Sequence, residues 1–76
     1  MKMIYLVSFT IEQMTYARQC ESRHEACLAM TEANSNCEYE YYSNCCKIAA
    51  TKLAEKGGNI HTTRILGNIV LTIVAP

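Results

Sequence analysis

Thr62-Thr63-Arg64-Ile65-Leu66-Gly67-Asn68-Ile69-Val70-Leu71-Thr72-Ile73 is the stretch whose reading decides the fold. Two β-branched runs flank Gly67-Asn68, a pair suited to a two-residue type II′ turn, so the segment from Asn59 to the C-terminal end reads as a β-hairpin. That turn sets Leu66 opposite Ile69, Arg64 opposite Leu71 and Thr62 opposite Ile73. The other face then carries Ile65 with Val70, Thr63 with Thr72 and His61 with Val74. The first set is the more apolar and is expected to meet the rest of the core.

Working outward, Lys2 to Ile11 reads as a strand. Met3, Tyr5, Val7, Phe9 and Ile11 share one face by period two, while Ile4 and Leu6 make the opposite face apolar as well. A strand apolar on both faces belongs in the middle of its sheet or under two covers. Gln13 to Glu21 has two readings. It continues a helix begun near Thr10, which has capping-box spacing to Gln13, or it returns as a strand over Thr15 to Cys20. Ser22 with Glu25 is a better capping box, and the composition through Ala33 favours helix. Asn34-Ser35-Asn36 interrupts it, and Ser35 with Glu38 offers a third box. Tyr39, Tyr42, Cys46, Ala49, Ala50 and Leu53 then recur at helical spacing up to Gly57-Gly58, with Lys52 and Lys56 in the last turns. A later start at Ser43, with the tyrosines extended, is the alternative. The expected fold is α+β. One domain over 1–76 has an antiparallel sheet of three strands, or four with Thr15 to Cys20, and two helices packed on one face.

Composition narrows the function classes. The 76 residues are half hydrophobic, carry seven basic against seven acidic side chains, and contain no Asp. Aspartate-based calcium loops and triads are therefore absent, as is a strongly basic nucleic-acid footprint. Charge is unevenly distributed. Six Glu between Glu12 and Glu40 face Arg18 and Arg23, whereas Lys47, Lys52, Lys56 and Arg64 face only Glu55 after Tyr41. Apolar runs at both ends are too short or too interrupted for a signal peptide or a membrane span, so a cytoplasmic protein without membrane association is expected.

Five cysteines, at 20, 27, 37, 45 and 46, are dense for this length. On a continuous helix Cys20, His24 and Cys27 would face one way, with Cys46, Cys45, Cys37 or His61 as a fourth ligand. Three zinc ligands along one straight helix spread over about 10 Å, and no CxxC knuckle is present. Buried, reduced thiols fit better. Cys20 and Cys27 lie on a stripe with Ala17 and Leu28, and Cys46 on the stripe of the second helix, while a Cys37 pairing with Cys45 or Cys46 is the disulfide option. Adjacent Cys45 and Cys46 cannot both point inward.

Catalysis has no support in the motifs. His24 and His61 lie in no nucleophile signature, there is no glycine-rich phosphate loop, and Glu21, Glu25 and Glu32 read as a solvated helix stripe. No cofactor and no enzymatic activity are expected. Binding to an unidentified protein partner is, through the acidic face (Glu21, Glu25, Glu32), an uncovered sheet face (Ile65, Val70, Val74), or both. Homodimerisation is another use of that sheet face. Small motif-free domains of this kind include the phage and mobile-element inhibitors that occlude a host protein, anti-CRISPR proteins among them. A zinc-stabilised module and a nucleic-acid binder, the latter through Lys47, Lys52, Lys56, His61 and Arg64, are the alternatives.

Overall fold

The computed structural model describes residues 2–76. In chain order it contains β1 (Ile4–Ile11), β2 (Met14–Cys20), α1 (Arg23–Ala33), α2 (Tyr39–Lys56), β3 (Ile60–Leu66) and β4 (Ile69–Val74). The four strands form one antiparallel sheet in the order β2-β1-β4-β3, and both helices pack on the same face. The α+β architecture read from the sequence is the one observed, in its four-stranded form.

Strand β1 is central, as its two apolar faces require. Tyr5 and Val7 point into the core, with Phe9 partly buried beside them; Ile4 and Leu6 lie on the opposite face. The ambiguous Gln13 to Glu21 segment is the strand β2, paired with β1 from Ile11↔Met14 to Tyr5↔Cys20. Glu12 and Gln13 form the two-residue link with φ of 49° and 68°. Both central residues are left-handed, as a type I′ turn demands, yet neither is Gly or Asn. The hairpin leaves little trace in the sequence for this reason: its geometry is present and its usual residues are not.

Helix α1 begins where the capping box places it. The Ser22 side chain accepts from the Glu25 N–H at 3.1 Å, and the Glu25 carboxylate reaches back to the Glu21 N–H at 3.0 Å. The expected Ser35 cap does not form. Helix α2 starts at Tyr39 with Glu38 as its N-cap and no side-chain cap bond. Asn34 organises this loop instead. Its N–H closes α1 on the Met30 carbonyl, its carbonyl accepts from the Tyr42 hydroxyl at 2.5 Å, and its side chain binds the Asn36 N–H and the Asn68 side chain. The tyrosine-rich start of α2 is therefore helical, because Tyr42 is needed in the core with Cys46, Ala49 and Leu53. Gly57 ends the helix at φ 66°.

The C-terminal hairpin forms, with one correction. Ile69, Leu71 and Ile73 of β4 face the helices as expected, all fully buried. A bulge between Arg64 and Leu66, however, shifts β3 by one residue, so that Arg64 lies opposite Val70, Thr63 opposite Leu71 and His61 opposite Ile73. Gly67 and Asn68 do not have positive φ, so the turn is not type II′. An unprimed two-residue turn twists against its strands, and a bulge restores the local right-handed twist. The shift also keeps the Arg64 guanidinium out of the core, where an unpaired charge is costly. Instead its Nη1 donates to the Gly67 carbonyl at 2.8 Å.

Candidate functional site

The sheet has helices on one side only, and the register lays out the other side residue by residue. Ile4, Val74 and Ile60 form an aliphatic row across β1, β4 and β3. Gln19, Leu6, Thr72 and Thr62 make the next row, with the two threonine hydroxyls 3.0 Å apart. Ala17, Ser8, Val70 and Arg64 follow. Val70 and Val74 thus lie on the open face expected for them. Ile65 does not, because the bulge turns it toward α2, where it packs against the core. Ile60, 60% exposed, takes its place. The exchange is not visible in the sequence, since a bulge inverts the alternation without altering any residue.

The acidic residues are arranged differently from a docking stripe. Glu21 precedes the helix, and its side chain lies 3.8 Å from Lys2 Nζ. Glu25 is occupied by the N-terminal cap. Glu32 accepts from Arg18 Nη1 at 3.1 Å, across from β2. Each carboxylate has an internal partner, and exposed pairs of this type are worth about 0–1 kcal/mol each. Of the three, only the Arg18–Glu32 pair joins α1 to β2.

Cys20, His24 and Cys27 do not share a helix. Cys20 ends β2, while His24 and Cys27 belong to α1. The His24 ring is hydrogen-bonded through Nδ1 to the Tyr39 hydroxyl at 2.7 Å. Among the described residues no three His, Cys, Asp or Glu side chains are grouped as a metal ion would need. Cys20, Cys27 and Cys46 are buried and unbridged, Cys37 and Cys45 partly exposed. Ala17 and Leu28, expected beside Cys20 and Cys27 in the core, are instead exposed, because β2 is an edge strand and Leu28 lies on the outer side of α1. Burial pushes the Cys46 thiol up to about 12, with neighbouring Cys27 adding to the shift; burial likewise raises Cys27 and Cys20. A thiol held protonated is a poor nucleophile and a poor metal ligand at neutral pH.

Two further surfaces are assembled by packing, the second of them including Lys52, His61 and Arg64 of the basic edge named from the sequence. On the helix side, the β1–β2 hairpin bears Ile11, Met14 and Tyr16, all exposed, with Tyr16 stacked on Phe9 at 5.5 Å between centroids. This cluster exists only because β2 is a strand. The other is a groove of about 140 Å³ between α2 and the edge strand β3, lined by Tyr41, Cys45, Ile48, Lys52, His61 and Ile65 among others. Its residues come from two elements whose relative register only packing determines.

Among the described residues no helix is long and apolar enough to cross a membrane. Compared with protein-family models, curated proteins and solved structures, the chain matches none of them.

Proposed function

We propose that this chain acts by binding another protein through the open face of its sheet, without catalysing a reaction. The observation that carries this reading is the Ile4–Val74–Ile60 row, flanked by Leu6 and Val70, on a sheet face that neither helix covers. Apolar side chains gathered on one exposed sheet face mark an interaction surface more often than isolated exposed residues do.

Size refines the proposal. Four strands about 4.8 Å apart and six residues long at about 3.3 Å per residue give a face of roughly 400 Å² in projection. One side of a standard protein interface contributes about 800 Å² of accessible surface. The open face thus suits the centre of an interface whose rim extends onto an edge strand. Stoichiometric occlusion of a partner, as in small phage or mobile-element inhibitors, is a mode of action within reach of such a surface.

The test is affinity capture from the native host lysate with the wild-type chain and with Val70→Lys, Val74→Lys and the helix-side control Leu28→Lys. Circular dichroism checks that each variant is folded. A partner retained by wild type and the control but lost by both valine variants supports the reading. Light scattering on the same samples tests self-association: a dimer that Val74→Lys converts to monomer, with no other partner lost, assigns the face to a second copy and overturns binding to a different protein. Equal capture by all four chains overturns the use of this face altogether.

A further inference from the structure

The groove between α2 and β3 is a different surface from the open face, and its features converge on one type of ligand. Strand β3 is an edge, paired only with β4. The Ala75 N–H donates to the Asn59 carbonyl, which makes Asn59 and Ala75 a hydrogen-bonded pair of the ladder. Direct partners in an antiparallel ladder alternate between bonded and non-bonded. Ile60, Thr62 and Arg64 therefore turn their main-chain N–H and C=O groups away from β4, toward the free edge. His61, Thr63 and Ile65 send their side chains to the helix side, where they meet Tyr41, Cys45, Ile48 and Lys52 of α2. An exposed ladder thus runs alongside a cleft that alternate side chains of an added strand could enter.

Charge identifies the chemistry. Lys52 lines the groove, and no carboxylate among the described residues does; Arg64 borders it from the strand edge, its guanidinium held on the Gly67 carbonyl. Neither cation belongs to the ion pairs found among the described residues, which join Lys2 to Glu21 and Arg18 to Glu32. His61 Nε2 is shielded from solvent and has no hydrogen-bond partner. Ile48, 58% exposed, and Ile65 supply an apolar floor. A second copy presenting its own β3 would bring Lys52 and Arg64 near their equivalents. Nucleic acid would satisfy the cations but not the strand edge.

We propose that the α2–β3 groove binds an extended acidic peptide segment of a partner protein as a fifth strand on β3. Main-chain hydrogen bonds to Ile60, Thr62 and Arg64 hold it in register. Facing the groove, one aliphatic side chain meets Ile48 and Ile65, and an acidic one, two residues away, meets Lys52. Backbone pairing gives the affinity of such strand addition, and the alternate side chains give its specificity.

The probe is a capped heptapeptide in which Glu, Val and Glu alternate with Thr, titrated into the full chain and followed by amide NMR. Shifts and slowed amide exchange at Ile60, Thr62 and Arg64 are expected. Lys52→Glu should weaken binding about tenfold, the scale of one lost charge-assisted hydrogen bond. Replacing Glu by Lys in the peptide should abolish it, and N-methylation of the peptide's pairing edge should do the same. Leu6→Lys, on the open face, should leave binding unchanged, which separates this site from the surface proposed above. Binding that survives N-methylation, or equal binding of the Lys peptide, overturns the proposal. So does the absence of shifts on β3 at millimolar peptide. A single-stranded oligonucleotide that displaces the peptide without protecting the β3 amides reassigns the groove to nucleic acid and also overturns it.

Discussion

Replacing Glu12-Gln13 by Asn-Gly should stabilise the protein, although the new residues touch nothing that the old ones do not. Both positions are left-handed, with φ of 49° and 68°. For an L-residue that region costs about 1–2 kcal/mol, whereas Gly enters it freely and Asn more readily than Glu or Gln. Relieving both positions should gain about 2–3 kcal/mol, from which the greater unfolded-state freedom of Gly removes about 0.5–1. The net expectation is about 1–2 kcal/mol. In a domain of this size each kcal/mol moves the melting midpoint by about 4–8 °C, so a rise of roughly 5–15 °C should follow. Urea unfolding monitored by circular dichroism measures the gain directly, through a higher midpoint at unchanged slope. Glu12→Val with Gln13→Val is the opposing control and should destabilise, since β-branched residues resist positive φ most. If Asn-Gly leaves the midpoint where it was or lowers it, the turn is not type I′ and the β1–β2 register must be redrawn.

Cysteine chemistry and the glycines provide further tests. Because burial raises Cys46 from 9.0 to about 12, the folded state holds that proton more tightly. Stability is therefore complete below pH 9 and falls as pH climbs toward 12, so between pH 8 and 10.5 wild type should lose about 2 kcal/mol more than Cys46→Ala; equal losses in urea titrations would show that the thiol is not the cause. In native protein a colorimetric thiol reagent should modify Cys37 and Cys45 quickly and reach Cys20, Cys27 and Cys46 only on unfolding; a third fast thiol contradicts the packing. Gly67→Ala should stabilise by about 0.5 kcal/mol, because its φ is not positive and an added Cβ would have no neighbour within 4 Å, whereas Gly57→Ala, at φ 66°, should destabilise by about 1 kcal/mol. Matching effects at the two glycines would refute the turn assignment at Gly67.

Elements whose apolar spacing is long and consistent are legible in the sequence alone. Helix α2 follows from Tyr42, Cys46, Ala49 and Leu53, helix α1 from the Ser22–Glu25 cap, and the core face of β4 from Ile69, Leu71 and Ile73. Strand β2 is legible only as one of two alternatives, because its edge position leaves every residue ahead of Cys20 exposed. An edge strand needs no apolar alternation, so its sequence carries little signal. Ser35 has the spacing of a cap and is not one, since the hydrogen bonds of Asn34 set the loop geometry first. The candidate surfaces divide in the same way. Alternation along β4 places Val70 and Val74 correctly, whereas alternation along β3 puts Ile65 on the wrong face and passes over Ile60. The acidic residues are visible, but their partners Lys2 and Arg18 are not, because those contacts join segments distant in sequence.

The sequence by itself determined the α+β class, the two helices, the strands β1, β3 and β4 and the core face of β4, because each of these follows from local periodicity and the drive to bury apolar surface. Only tertiary structure decided the sense of β3. A single bulged residue, set by turn twist and by the need to keep Arg64 out of the core, inverted the strand and exposed Ile60. By the same inversion Ile65 and His61 came to face α2 and to line the groove. Side-chain alternation predicts which residues share a face, but it cannot say which face that is once the chain is free to insert a bulge.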